Sequence, residues 1–173
     1  MPSLEILTYP DARLRDLADP VTDFSDPSLQ TFIDDLLEGM RSGPGSMGLA
    51  APQVGRSIQI IAIDCGLMKK PPPEHHGLIV ACNPEILTWS GMEIAREGCL
   101  SIPDYTGNVV RATEISVQYQ DRHGEEQTLI LHGFEARVWQ HEVDHLEGRL
   151  FIDRIVSRRS DLFKRKVYQP RQR

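Results

Sequence analysis

The sequence predicts an α+β fold, mostly strand, with one helix near the N-terminus and one buried helix late in the chain. Three observations carry this. Strand-like segments follow one another without the regular strand–helix alternation of a doubly wound sheet. Two stretches, 26–43 and 133–148, combine apolar residues near helical spacing with helix start or stop signals. Residues 115–131 alternate in the way of a hairpin. At 173 residues and 40% hydrophobic content, the chain suits one domain, 1–173, with a core of ordinary size.

Asp26-Pro27 supplies a cap and a first-turn proline, Leu29, Phe32, Ile33, Leu36, Leu37 and Met40 follow at helical spacing, and Gly43 ends the helix. Residues 42–48, Ser-Gly-Pro-Gly-Ser-Met-Gly, read as a flexible loop. Ser57–Asp64 reads as a buried strand. Residues 69–77 hold three prolines and the adjacent His75 and His76, a surface loop too broken to hold metal well. Leu78–Cys82 and Glu85–Ile94 read as two further strands. Ile115, Val117 and Tyr119 alternate, Arg122-His123-Gly124 turns, and Gln127–Leu131 returns. His132, at the strand end, reads as structural. Between Gly133 and Gly148 the stop signals allow a helix of about fourteen residues. Arg149–Val156 then looks extended, and Ser160–Tyr168 suggests a short basic C-terminal helix.

No apolar run approaches the roughly 18 residues of a membrane span. The start, Met-Pro-Ser-Leu-Glu, does not read as a signal peptide, so a cytoplasmic protein with no membrane contact is expected. Three cysteines, an odd number, argue against a disulfide framework; Cys65 and Cys82 follow apolar runs and read as small core residues. Charge is segregated. From Arg149 onward nine basic and two acidic residues give +7, which leaves −13 for residues 1–148 of a chain whose net charge is −6. A basic tail of this kind suits an anionic partner such as RNA.

Residues 140–148, Gln-His-Glu-Val-Asp-His-Leu-Glu-Gly, carry the chemistry. His141 and His145 lie four residues apart, one turn apart on one helical face, where two imidazoles hold a single metal ion. Glu142 beside them is placed to handle the proton of an activated water, which makes the protein a hydrolase. Catalytic sites of this kind usually have three protein ligands. No histidine follows His145, and Glu147 points away from the shared face. Upstream, Glu97-Gly98-Cys99-Leu100-Ser101 offers Cys99, whose thiolate is a soft ligand for zinc or ferrous iron. Glu97 and Asp144 are candidates for orienting the ligands. Met47 and Val138, the latter about one turn before His141, suit an apolar substrate pocket.

These blocks resemble the peptide deformylase family. Gly48-Leu49-Ala50-Ala51-Pro52-Gln53, Glu97-Gly98-Cys99-Leu100-Ser101 and Gln140-His141-Glu142-Val143-Asp144-His145-Leu146 come in that family's order and spacing. The resemblance implies antiparallel β-sheets around a central metal-binding helix. It also implies removal of formyl from N-formylmethionyl peptides, releasing formate. The Gln53 side chain and the Leu100 backbone N–H would stabilise the oxyanion, and Gly48 would let substrate backbone approach. One divalent ion per chain is implied, ferrous iron above all, with zinc or nickel as alternatives. Action on nascent chains makes the ribosome the expected partner of the basic tail. Because the catalytic candidates precede that tail, its removal is expected to spare turnover of a short free peptide. The chain departs from the family pattern at Ser46, where a glycine is usual, near Thr106, where some members carry arginine, and at Arg137, where several have an aliphatic residue. The rival readings are a zincin-like endopeptidase, for which Cys99 is dispensable, and a binding module with a structural metal.

Overall fold

The structure is a computed structural model and describes residues 4–166. Helix α1, Pro27–Ser42, begins where Asp26 accepts a hydrogen bond from Ser28 N–H at 2.8 Å. Its stripe from Leu29 to Met40 is buried on one face of a five-stranded antiparallel sheet. In spatial order that sheet holds β1 (Gly48–Ala50), β2 (Ile60–Asp64), β3 (Leu78–Ser90), β6 (Glu114–Gln120) and β7 (Glu126–His132). Helix α2, Gly133–Leu146, packs against the same sheet through a cluster that includes Trp139, Ile61, Ile63 and Ile115. Each fully buried side chain of this size contributes roughly 1.5–3 kcal/mol relative to exposure.

A second antiparallel sheet runs β4 (Glu93–Cys99), β5 (Ile102–Arg111), β8 (Leu162–Lys164). Leu7, Leu14, Val109, Leu150 and Phe151 fill the space beneath it. The α+β class, the two main helices and the hairpin are as expected. No helix among the described residues is long and apolar enough to cross a membrane.

Several boundaries differ. Leu78–Cys82 and Glu85–Ser90 are one strand, continuous through an irregular register between Cys82 and Glu85. Asn83 takes up the strain at φ 51°, its side chain bonded to Val21 N–H, Val21 C=O and the Gln120 side chain. Ile94 belongs to β4. The strand expected from Ser57 starts at Ile60. β1 and β5 had no sequence signal: β1 is three residues long, and β5 carries Pro103 and Gly107. The segment after α2 is not extended; Phe151–Arg154 forms a 3-10 turn with Phe151 buried and Asp153 accepting from Leu150 N–H at 2.8 Å. The C-terminal helix is one turn, α3 (Arg158–Asp161), after which the chain becomes β8 and pairs with β5 at Tyr105–Gly107. Residues 167 and 168 of the expected helix lie outside the described residues.

Candidate active site

The helical repeat puts His141 and His145 on one face of α2, ring centroids 5.2 Å apart. Gly148, at φ 71°, stops the chain from continuing as helix; any side chain there would strike the backbone of Arg15. Cys99 ends β4, and a register shift between Gly98 and Cys99 breaks the regular pairing there. The thiol is buried, with Sγ 3.4 Å from Nε2 of His145. Ligand atoms of Cys99, His141 and His145 all lie within 4.8 Å of one another, and among the described residues this is the only such group. One soft thiolate and two imidazoles fit a divalent transition metal.

Glu97 carries the centre's second layer. Its Oε1 lies 2.8 Å from Nδ1 of His141, which leaves Nε2 as that ring's ligand atom. Arg111 binds both oxygens of Glu97 at 2.9 Å, and Arg137 donates at 2.7 Å. Burial alone would raise the Glu97 pKa; hydrogen bonds from His141 and Arg111 outweigh it and hold the carboxyl well below the usual carboxylate range. For His141, burial opposes charge, but Cys99 and Glu97 more than offset it and raise its pKa. The negative charge that draws a proton to this spot equally draws a cation shared by three donors. His145, depressed by burial and by its neighbour His141, is neutral, as a metal-ligating imidazole must be.

Asp144 does not touch a ligand. Its carboxylate binds Arg111 at 2.6 Å and Arg154 at 2.5 and 2.6 Å, so it reaches His141 only through Arg111 and Glu97. Arg111 went unnoticed in the sequence and Arg137 stood out only as a departure from the family pattern, because an arginine in a strand or helix gives no sign of burial. Arg137 also bonds the carbonyls of Val109 and Glu93, and so ties α2 to β5 and β4 of the second sheet. His76 meets Glu135, not the metal group, at 2.6 Å. His132 pairs with Glu114 at 3.1 Å, and Cys65 and Cys82 are buried core residues.

Gln53 sits in a 3-10 turn, Ala51–Val54. Its Oε1 accepts from Ala50 N–H at 2.9 Å, so Nε2 faces Cys99 Sγ at 3.4 Å and Ser101 Oγ at 3.1 Å. Glu142 is buried in the same place, and burial pushes its pKa up to about 7. Its Oε2 has no hydrogen-bond partner among the described residues. A Cβ added at Gly48 would fall 2.6 Å from Oε1 of Glu142, so the glycine makes room for this carboxylate. Ser46 has no positive φ to bear, and its hydroxyl donates to Gly48 C=O at 3.0 Å. A cavity of about 370 Å³ opens over these groups, lined among others by Met47, Gly48, Leu100 and Val138. Two residues that sequence reasoning missed, Arg96 and Arg165, line it as well. The second belongs to the tail that was expected to stand apart.

A model of the polypeptide deformylase family matches residues 3–161. The chain is 46% identical over 156 residues to a peptide deformylase of Halothermothrix orenii, covering 90% of this chain and 96% of that one. Its structure is similar to that of the Thermotoga maritima peptide deformylase, with a TM-score of 0.81, 40% identity, and 91% and 100% of the two chains covered. It is also similar to a class I type b peptide deformylase from Acinetobacter baumannii with Met-Ala-Ser bound, with a TM-score of 0.80, 36% identity, and 88% and 98% covered. The chain with its Cys-His-His metal-binding group therefore belongs to the polypeptide deformylase family, the hydrolases that remove the N-formyl group from nascent peptides.

Proposed function

We propose that Cys99, His141 and His145 hold the metal, with ferrous iron as the native ion and zinc or nickel able to replace it. When bound, such an ion acts as a Lewis acid and makes water a competent nucleophile near neutral pH. The surrounding residues divide the remaining work. Glu142 takes the proton of the attacking water and delivers it to the amine that departs as the C–N bond breaks, so the products are formate and a free N-terminus. Addition of water to the formyl carbon places negative charge on its oxygen. Gln53 Nε2 and the Leu100 backbone N–H donate to that oxygen. Ala50 supports this role by holding the other end of the Gln53 amide.

Met47 and Val138 give the methionine side chain an apolar wall, and Gly48 leaves space for both Glu142 and substrate backbone. Residues 1–173 act as a single catalytic domain with a basic tail from about 149, in the bacterial cytoplasm, a setting that suits three free cysteines. Exposed Arg158, Arg159, Lys164 and Lys166 make the tail a candidate contact for ribosomal RNA.

One observation carries the reading: Glu142 and Gln53 line the same cavity as Cys99 and His141, whose ligand atoms lie within 4.8 Å of that of His145. The test is formate release from formyl-Met-Ala-Ser by anaerobically purified protein, with metal analysis of the same sample. Formate in step with metal content is expected, and metal-loaded protein that releases none overturns the reading.

A further inference from the structure

The mouth of the cleft is basic, although residues 1–148 carry −13. Arg96 on β4 and Arg165 just beyond β8 line the cavity that holds Cys99 and Glu142. Both are held from behind. Arg165 N–H donates to Asp104 C=O at 2.8 Å, which continues the β8–β5 pairing. Its guanidinium lies across Gly98, where any Cβ would overlap Nη2. The Arg96 guanidinium stacks 3.6 Å from the Phe163 ring centroid and donates to Asn108 at 3.1 Å and Thr106 at 3.3 Å.

Neither arginine meets a carboxylate among the described residues. Glu97, the nearest acid on β4, is already engaged by Arg111, Arg137 and His141. The rim therefore presents two exposed, oriented cations to whatever leaves the cleft beyond the methionine pocket.

We propose that Arg96 and Arg165 form a subsite for a carboxylate on the substrate downstream of the formylmethionine, either an acidic side chain or a short peptide's own C-terminus. The proposal rests on the deformylase reading of the site. A guanidinium suits this ligand because its planar fork matches the two oxygens of a carboxylate. A phosphate would also be attracted, but both arginines line the cleft rather than the outer face of the tail, which favours the peptide. The tail then takes part in choosing substrates.

The test compares kcat/KM for formyl-Met-Ala-Asp-amide, formyl-Met-Ala-Asn-amide and formyl-Met-Ala-Asn with a free C-terminus. The wild-type enzyme should favour either carboxylate-bearing peptide by roughly three- to tenfold, mainly through KM, and salt should erode the preference. Arg165→Glu should abolish or invert the preference, while Arg165→Lys should keep part of it. A purely structural arginine would lower all three rates together and leave their ratios alone. Equal ratios in wild type and Arg165→Glu overturn the proposal, and loss of ribosome binding with those ratios unmoved assigns the cations to RNA instead. If the wild-type enzyme releases formate from none of the peptides, the deformylase reading falls with it, whereas turnover without charge preference removes the rim subsite alone.

Discussion

Oε1 of Glu97 lies 2.8 Å from Nδ1 of His141, so an acid two residues before one metal-binding side chain sets the orientation of another. The same carboxylate neutralises Arg111 and Arg137, which are almost wholly buried. Glu97→Ala leaves buried Arg137 without a carboxylate and Arg111 with Asp144 alone, and is expected to cost about 3–5 kcal/mol of stability. Metal affinity should fall roughly 10- to 100-fold as His141 loses its orienting contact. Denaturant unfolding and metal titration check both effects; a variant of unaltered midpoint and affinity contradicts them.

Cys99→Ala should lose metal and activity together, because two imidazoles alone retain the ion poorly. Metal content measured on anaerobically purified variant decides this. A full complement of ion would remove Cys99 from the ligand set and favour a zincin-like site.

Gln53→Ala should keep the metal and lower kcat by roughly a hundredfold or more, the scale of one missing oxyanion donor. The substitution also frees Ala50 N–H and Ser101 Oγ, so a modest fall in melting temperature should accompany it. A defect seen only in KM would reassign Gln53 to substrate positioning.

Glu142→Gln is nearly isosteric and removes no ligand, so metal content should stay near that of wild type. Its rate on a formylmethionyl peptide should drop roughly 10²- to 10⁴-fold with loss of the proton carrier. Rates within a few-fold of wild type would exclude the assigned role.

Two truncations separate the parts of the tail. Deleting residues 158–173 removes β8 and Arg165 and should impair turnover of even a short peptide, contrary to what sequence alone suggests. Deleting only 167–173 keeps both and should preserve turnover. Equal activity of the two truncated forms would show that β8 adds nothing to the cleft. Co-sedimentation with ribosomes at low and moderate salt reports separately on the tail as an RNA contact.

The local chemistry was legible in the sequence because helix spacing fixes it. The four-residue spacing from His141 to His145 determines their shared face wherever the helix packs. Asp26-Pro27 and Gly148 marked helix ends through backbone rules that act locally. What sequence could not supply was the long-range pairing. β5 looks like a loop until β4 lies beside it, and Leu162–Lys164 becomes a strand only because β5 offers an edge. Arg111 and Arg137 appear as ordinary charged residues until the fold closes them around Glu97. Gly48 was expected to make way for substrate backbone; its neighbour across the cleft is the Glu142 carboxylate.

The placement of β8 also sets an order of assembly. A polypeptide emerges from the ribosome N-terminus first, so Leu162–Lys164 becomes free only after β4, β5 and α2. The Cys-His-His group and Glu142 are all present in the chain before that strand can dock. A newly made copy of this protein thus has its metal-binding side chains in hand before it can complete the wall bearing Arg165.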